Sequence, residues 1–229
     1  MKILLIGHGR MGRLVESLAP EYDGRVVAIV TSRSGPDAIA RAAADEQPDV
    51  AIDFSLPAAV PGTVSALAKA GISAVIGVTG WQALELELRD VAARGGIAVL
   101  AASNFSLGMH VFRRVVEDAA RRFAGMDDVG AWIHETHHAK KIDAPSGTAV
   151  TLRQAMVDAG YPRTIDVSST RAGSVPGTHA VGFDGAAETV TLTHTVRDRA
   201  VFARGALQGA RWLIGQPAGW YGMDDLLKA

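Results

Sequence analysis

Five short apolar runs in the first hundred residues, each followed by a stretch of helical composition, restrict the fold more than anything else in this chain. They read KILLI (2–6), VVAIVT (26–31), VAIDF (50–54), SAVIGV (73–78) and IAVLA (97–101). Runs of this kind suit strands covered on both faces, because a strand with one wet face alternates apolar and polar residues instead. Between them lie RMGRLVESLA, AIARAAAD, PAAVPGTVSALAKA and WQALELELRDVAARG, rich in Ala, Leu, Glu and Arg at helical spacing. Repeated strand–helix units predict an α/β domain with a Rossmann-type doubly wound parallel sheet.

Past residues 103–108 the pattern changes. A longer amphipathic helix is expected over 108–123, a strand within DVGAWIHETHH and another helix over 147–160. From 164 to 196 the chain is rich in Thr, Val and Gly with period-two alternation, as in AETVTLTHTV. That pattern predicts a second, α+β domain built on a mostly antiparallel or mixed sheet. Helical character returns over 202–215, and no internal repeat or low-complexity linker marks the boundary.

Composition narrows the function. Of 229 residues, 48% are hydrophobic and 21% charged, as in a globular chain, and the formal net charge is −1. So balanced a chain carries no global field for nucleic acid or an anionic membrane, and neither is expected as a partner. Cysteine is absent, which removes disulfides, thiolate metal sites and every thiol-nucleophile mechanism. No apolar run approaches the ~20 residues of a membrane span, and the N-terminal one is too short for a signal-peptide core, so a cytoplasmic protein is expected. Trp81, Trp132, Trp212 and Trp220 are expected in cores or interfaces.

LLIGHGRMGRLV places Gly7, Gly9 and Gly12 as G-x-G-x-x-G between the first strand and the first helix. In that context glycines permit a tight turn and a close backbone approach to a pyrophosphate, which the helix N-terminus attracts. An Asp or Glu at the end of the second strand would serve the ribose hydroxyls of NADH. Here the strand ends instead in Thr31, Ser32 and Arg33. A guanidinium beside hydroxyls suits a 2′-phosphate, although Arg33 alone also reads as a solvated loop charge. NADPH is the expected cofactor, with NADH the alternative. The loops IGVTGW (76–81) and AASNFSLGM (101–109) follow the fourth and fifth strands, where open parallel sheets bind ligands.

HETHHAKKIDAPSGTA (134–149) crowds three histidines, two lysines and two acids in front of a helix-starting Pro-Ser-Gly-Thr. His134, Glu135 and His138 spell H-E-x-x-H, but that motif holds zinc only on a helix, and the preceding residues are strand-patterned. No metal is therefore expected, and His134 is given no role. His137, His138 and Lys141 would form an electropositive patch, with Ser146, Gly147 and Thr148 supplying donors at the start of the next helix. Such a site binds a carboxylate and hands it a proton.

At these residues the chain resembles the 4-hydroxy-tetrahydrodipicolinate (dihydrodipicolinate) reductase family. ETHHAKKIDAPSGTA matches its E-x-H-H-x-x-K-x-D-A-P-S-G-T-A stretch, and GRMG, GVTG, NFSLGM, RAGSVPGTHAV (171–181) and FARGALQGARWL (202–213) follow in family order. The resemblance implies an NAD(P)H-dependent oxidoreductase acting on a small cyclic dicarboxylate in the diaminopimelate route to lysine. His137 becomes the proton donor and acceptor, Lys141 the proton donor, and His138, Ser146, Gly147 and Thr148 the substrate contacts. The cofactor loops become Gly7, His8, Gly9, Arg10, Met11 and Gly12, then Ser32 and Arg33, then Gly77, Val78 and Thr79, then Ala102, Ser103, Asn104 and Phe105. It further implies a dinucleotide-binding domain over 1–105, a substrate-binding and oligomerisation domain over 106–204, a segment 205–229 that packs back on the first, and a homotetramer. Two departures stand out: the first glycine loop is the family's shorter form, and no acid follows the second strand.

Overall fold

The structure is a computed structural model that describes residues 1–228. In chain order it runs β1 (Lys2–Ile6), α1 (Arg10–Leu18), β2 (Arg25–Val30), α2 (Ala38–Glu46), β3 (Val50–Asp53) and α3 (Val60–Ala70). It continues through β4 (Ala74–Ile76), α4 (Glu85–Arg94), β5 (Ala98–Ala101) and α5 (Leu107–Phe123). Then come β6 (Gly130–His137), α6 (Gly147–Asp158), β7 (Ile165–Arg171), β8 (Gly177–Asp184) and β9 (Thr189–Val196). The chain ends in α7 (Ala200–Leu213), β10 (Gly219–Tyr221) and α8 (Met223–Leu226). Two compact units divide it, one of residues 1–107 with the segment from Ala200 onward, the other Gly108–Arg199.

The first unit is a six-stranded parallel sheet in the order β10-β5-β4-β3-β1-β2. Its central strands are buried on both faces, as their apolar runs require: Ile3, Leu5, Val50 and Ile52 pack on one side, Leu4, Ile6, Ala51 and Ile76 on the other. Each such Leu, Ile or Val side chain contributes about 1.5–3 kcal/mol of transfer free energy. α7 covers the first side with Ala203, Ala206, Leu207 and Ala210. Its small residues allow close approach: a Cβ on Gly205 would lie 1.7 Å from the carbonyl oxygen of Phe105. The sixth strand, β10, pairs with β5 and was not among the expected strands. GWY has too few residues to show a period, so only pairing with β5 makes it a strand.

The second unit is a four-stranded mixed sheet, β7-β6-β8-β9, with β6–β7 parallel and the other pairs antiparallel. One face carries Trp132, His134 and Thr136 beside Ser168, Thr170, Ala180, Thr191 and Thr193. The other begins as core, where Ile133, Val181, Phe183 and Ile165 meet Met109, Phe112, Val116, Leu152 and Met156. Further along, this inward face turns polar. Glu135 lies in register with Ser169 and His179, and His137 pairs with Arg171. The candidate functional side chains Glu135, His137 and His179 sit at this polar end.

Candidate functional site

In the first unit β1 ends at Ile6 and the chain turns through Gly7, whose φ of +87° suits only glycine. A Cβ on Gly7 would meet the Phe54 carbonyl oxygen at 2.6 Å, and one on Gly12 would meet the Gly7 carbonyl oxygen at 2.2 Å. These two glycines fold the loop and seat α1 against it. Gly9 differs, since a Cβ there would meet nothing within 4 Å. It stands at the N-cap of α1 with no side chain to bond the helix's first N–H groups. The first N–H groups of α1 have no side-chain cap, and the space beside Gly9 at the positive end of the helix is open, which suits an anion of pyrophosphate type. The residues present fit a dinucleotide. The His8 ring is engaged elsewhere, with Nε2 2.7 Å from Glu16 Oε2.

The turn after β2 is tied by Thr31 N–H to Ser34 Oγ at 3.0 Å and by Arg41, which donates to the Ser34 carbonyl at 2.9 Å. Ser32 and Arg33 are exposed on it, and Arg41 brings a second guanidinium that the sequence reading missed. Gly77 leaves space for the Phe54 ring, which a Cβ would meet at 2.1 Å. Thr79 is exposed, while the Val78 side chain is buried. Ala102, Ser103 and Asn104 follow β5, and Asn104 Oδ1 accepts from the Ser106 N–H at 2.8 Å. The Phe105 ring is core, packed edge-on against Phe54, and its carbonyl lies against Gly205 of α7.

In the second unit β6 presents Glu135 and His137 inward and His134 outward, because side chains alternate along a strand. The H-E-x-x-H residues are thus split between faces. His134 bonds Ser168 at 2.9 Å, and the His138 Nε2 accepts from Arg199 at 3.0 Å. α6 begins where Ser146, in extended conformation, accepts from the Ala149 N–H at 3.2 Å. Ser146 is engaged further inside the protein: its N–H donates to Glu135 Oε1 at 3.1 Å, and the same Oγ lies 3.2 Å from His179 Nε2. Gly147 and Thr148 supply the next N–H groups of the first turn. Lys141 Nζ bonds both oxygens of Asp143, at 2.7 and 2.9 Å, and Asp143 Oδ2 also reaches the Gly147 N–H at 3.4 Å. An ammonium and a helix N-terminus here already hold a carboxylate, the protein's own.

Behind this cradle lies a buried cluster. Arg171 donates to Glu135 Oε1 at 2.6 Å, and Glu135 Oε2 rests against His137 Nδ1. The His137 and His179 rings meet edge-on with centroids 5.1 Å apart. Burial pushes the Glu135 carboxyl up, but hydrogen bonds from Arg171, Ser169 and the Ser146 N–H, with the nearby His137, bring it down to about 2. Burial holds His137 below its ordinary value; Glu135 opposes this, while Lys141 and Arg171 reinforce it. His179 is pushed down to about 4, by burial first and then by His137. Glu135, His137 and His179 are also the one group among the described residues whose metal-type donor atoms lie within 4.8 Å of one another. The Arg171 guanidinium already neutralises the only carboxylate of that group, so the donor set is arranged for protons better than for a cation.

The structure therefore brings His137, Lys141, Gly147 and Thr148 to one end of the second unit, with His138 on the same loop. Glu135, Asp143, Arg171, His179 and Arg199 join them; none of these was assigned a site role from sequence, although the first four stand within the quoted motifs. Only the strand alternation of GAWIHETH, which puts Glu135 and His137 on one face, could have pointed to the first of these.

Two family models span nearly the whole chain. One described as dihydrodipicolinate reductase, N-terminus, matches residues 1–105, and one described as dihydrodipicolinate reductase, C-terminus, matches residues 108–227. The 4-hydroxy-tetrahydrodipicolinate reductase of Xanthomonas euvesicatoria pv. vesicatoria is 42% identical over 240 residues, covering 99% of this chain and 98% of that protein. That of Methanospirillum hungatei is 35% identical over 254 residues, covering 100% and 99%. Among solved structures, a dipicolinate-bound dihydrodipicolinate reductase from Paenisporosarcina sp. TG-14 shares the fold, with a TM-score of 0.81 at 20% identity and 98% of each chain covered.

Proposed function

The chain belongs to the dihydrodipicolinate reductase family, and from that membership we propose that it reduces 4-hydroxy-tetrahydrodipicolinate to tetrahydrodipicolinate, in the diaminopimelate route to lysine. Residues 1–105 are the dinucleotide-binding part, joined by the segment 205–229, and 106–204 the substrate-binding part. Gly7 to Gly12 hold the pyrophosphate through backbone N–H groups, and the loops at 77–79 and 102–105 hold the nicotinamide half. NADPH is preferred, because the turn after β2 offers Ser32 and Arg33 and no carboxylate to accept from ribose hydroxyls. Loss of the 4-hydroxyl as water leaves a conjugated ring, to which a bound reduced nicotinamide would supply the hydride.

The chain's own residues do the rest. Gly147 and Thr148 N–H groups and His138 hold one substrate carboxylate, while Ser146 caps the helix that carries the first two. Lys141 and His137 supply the proton that quenches charge developing on the ring, an effect of about 10²–10⁴-fold in rate. Lys141 reaches the substrate by exchanging Asp143 for the incoming carboxylate. A cytoplasmic homotetramer, assembled through the open Thr- and Ser-rich face of the second sheet, completes this reading; among the described residues no helix is long and apolar enough to cross a membrane.

One observation carries the reading: an imidazole and an ammonium stand beside a helix N-terminus already shaped around a carboxylate. The test is oxidation of NADPH by the purified protein in the presence of freshly generated product of dihydrodipicolinate synthase. Oxidation that requires both protein and substrate is expected. NADPH binding without oxidation would contradict the proposal.

A further inference from the structure

Glu135 is fully buried on the inward face of β6, where the core would ordinarily continue. A buried carboxylate costs several kcal/mol unless it is paired and hydrogen-bonded. Besides Ser169 on β7, its partners lead into the site. Oε1 accepts from Arg171 on β7 and from the Ser146 N–H at the cap of α6, and Oε2 faces His137 Nδ1. The same Arg171 nitrogen donates to the Asp143 carbonyl at 2.5 Å, and the Asp143 side chain holds Lys141. One carboxylate thus ties the imidazole, the helix that offers anion donors and the loop that carries the ammonium into a single scaffold. The opposite edge of the imidazole is left clear: a Cβ on Gly177 would stand 3.0 Å from His137 Nε2, and glycine has none.

Resting on the reductase reading above, we propose that Glu135 is a positioning residue. It keeps His137 protonated on Nδ1, so that Nε2, beside the bare Cα of Gly177, is the nitrogen that exchanges a proton during turnover, and with Arg171 it registers that imidazole against the start of α6. A carboxylate that orients an imidazole fixes its tautomer and stabilises its cationic form. The charged and titratable groups facing His137 are Glu135 from its own strand, Arg171 from β7, His179 from β8 and Lys141 from the following loop. Among them Glu135 alone favours the protonated ring, so its neutralisation moves His137 to a lower titration point.

The test compares the wild-type protein with Glu135→Gln and Glu135→Asp. Steady-state rates are taken across pH, NADPH dissociation constants are measured, and side-chain ¹⁵N spectra of the histidines are recorded. In the wild type His137 should be the Nδ1–H tautomer. Glu135→Gln should lower kcat about 10–10³-fold, as loss of an orienting carboxylate does. It should also move the alkaline limb of the profile, where a proton-donating His137 is lost, to lower pH and leave NADPH affinity within about twofold. Glu135→Asp should restore part of both kcat and the limb. Unchanged kcat and an unmoved limb in Glu135→Gln would overturn the proposal, and so would an Nε2–H tautomer in the wild type. The wild-type spectrum decides alone if Glu135→Gln does not fold. Absence of wild-type turnover would instead strike the reductase reading and leave the tautomer to be read independently.

Discussion

On the proposed function, single side chains set the specificity of both halves of this protein. Arg33 stands exposed on the turn after β2, and the hydroxyl of Ser32 beside it suits the same 2′-phosphate. A hydrogen bond to a charged group contributes about 1.5–3 kcal/mol, so Arg33→Asp should lower the NADPH-to-NADH ratio of kcat/KM about 10–100-fold. Steady-state kinetics with the two cofactors measures this, and an unchanged ratio would mean that Arg33 does not face the phosphate. Lys141 shows the limit of reading one residue at a time. The sequence places it among histidines as an electropositive group, but its ammonium is bound by Asp143, two residues away.

Elements carry the rest, and here the glycine loop separates folding from binding. A methyl on Gly12 would fall 2.2 Å from the Gly7 carbonyl, which must move to admit it; one on Gly9 would enter open space at the N-terminus of α1. Gly12→Ala should therefore destabilise the protein by about 1–3 kcal/mol and weaken NADPH binding, as overpacking does. Gly9→Ala should leave stability within about 0.5 kcal/mol yet still weaken NADPH binding, because the methyl occupies the phosphate's space. Denaturant unfolding and NADPH titration of the two variants distinguish these outcomes. Equal NADPH affinity in Gly9→Ala and wild type would place the phosphates elsewhere. The turn itself was legible because G-x-G-x-x-G lies after an apolar run and before a helix. The unbroken runs likewise marked the first five parallel strands, since a strand covered on both faces has no polar alternation. β10 was not legible, and neither was the parallel pairing of β6 with β7, which depends on how α6 returns the chain rather than on either strand's composition. The same limit hid the cluster behind His137. Glu135, Arg171 and His179 meet by sheet register, and no local pattern announces partners on three different strands.

For the molecule as a whole, the buried ionisable groups of the second unit set the response to acid. His179 titrates at about 4 in the fold against an ordinary value of 6.5, and burial lowers His137 and His194 in the same direction. Below about pH 6.5 the unfolded chain takes up protons that the fold refuses, so stability should fall as pH drops toward 4. Glu135, at about 2 against 4.5, prolongs the loss below pH 4.5. Asp53, raised by burial from 3.8, works in the opposite sense in the first unit. Urea midpoints from pH 7 to 4 should therefore decline, with amide exchange rising first in β6 and β8; a flat profile would show that these histidines are not held neutral. The central claim, that His137 and Lys141 carry the proton chemistry of a nicotinamide-dependent reduction, is tested most directly by the kcat of His137→Ala and Lys141→Ala beside their NADPH dissociation constants. The predicted result is a fall in kcat of about 10²–10⁴-fold in each variant, with NADPH affinity nearly unchanged. Full activity in either variant, or a loss explained by weakened NADPH binding, would contradict it.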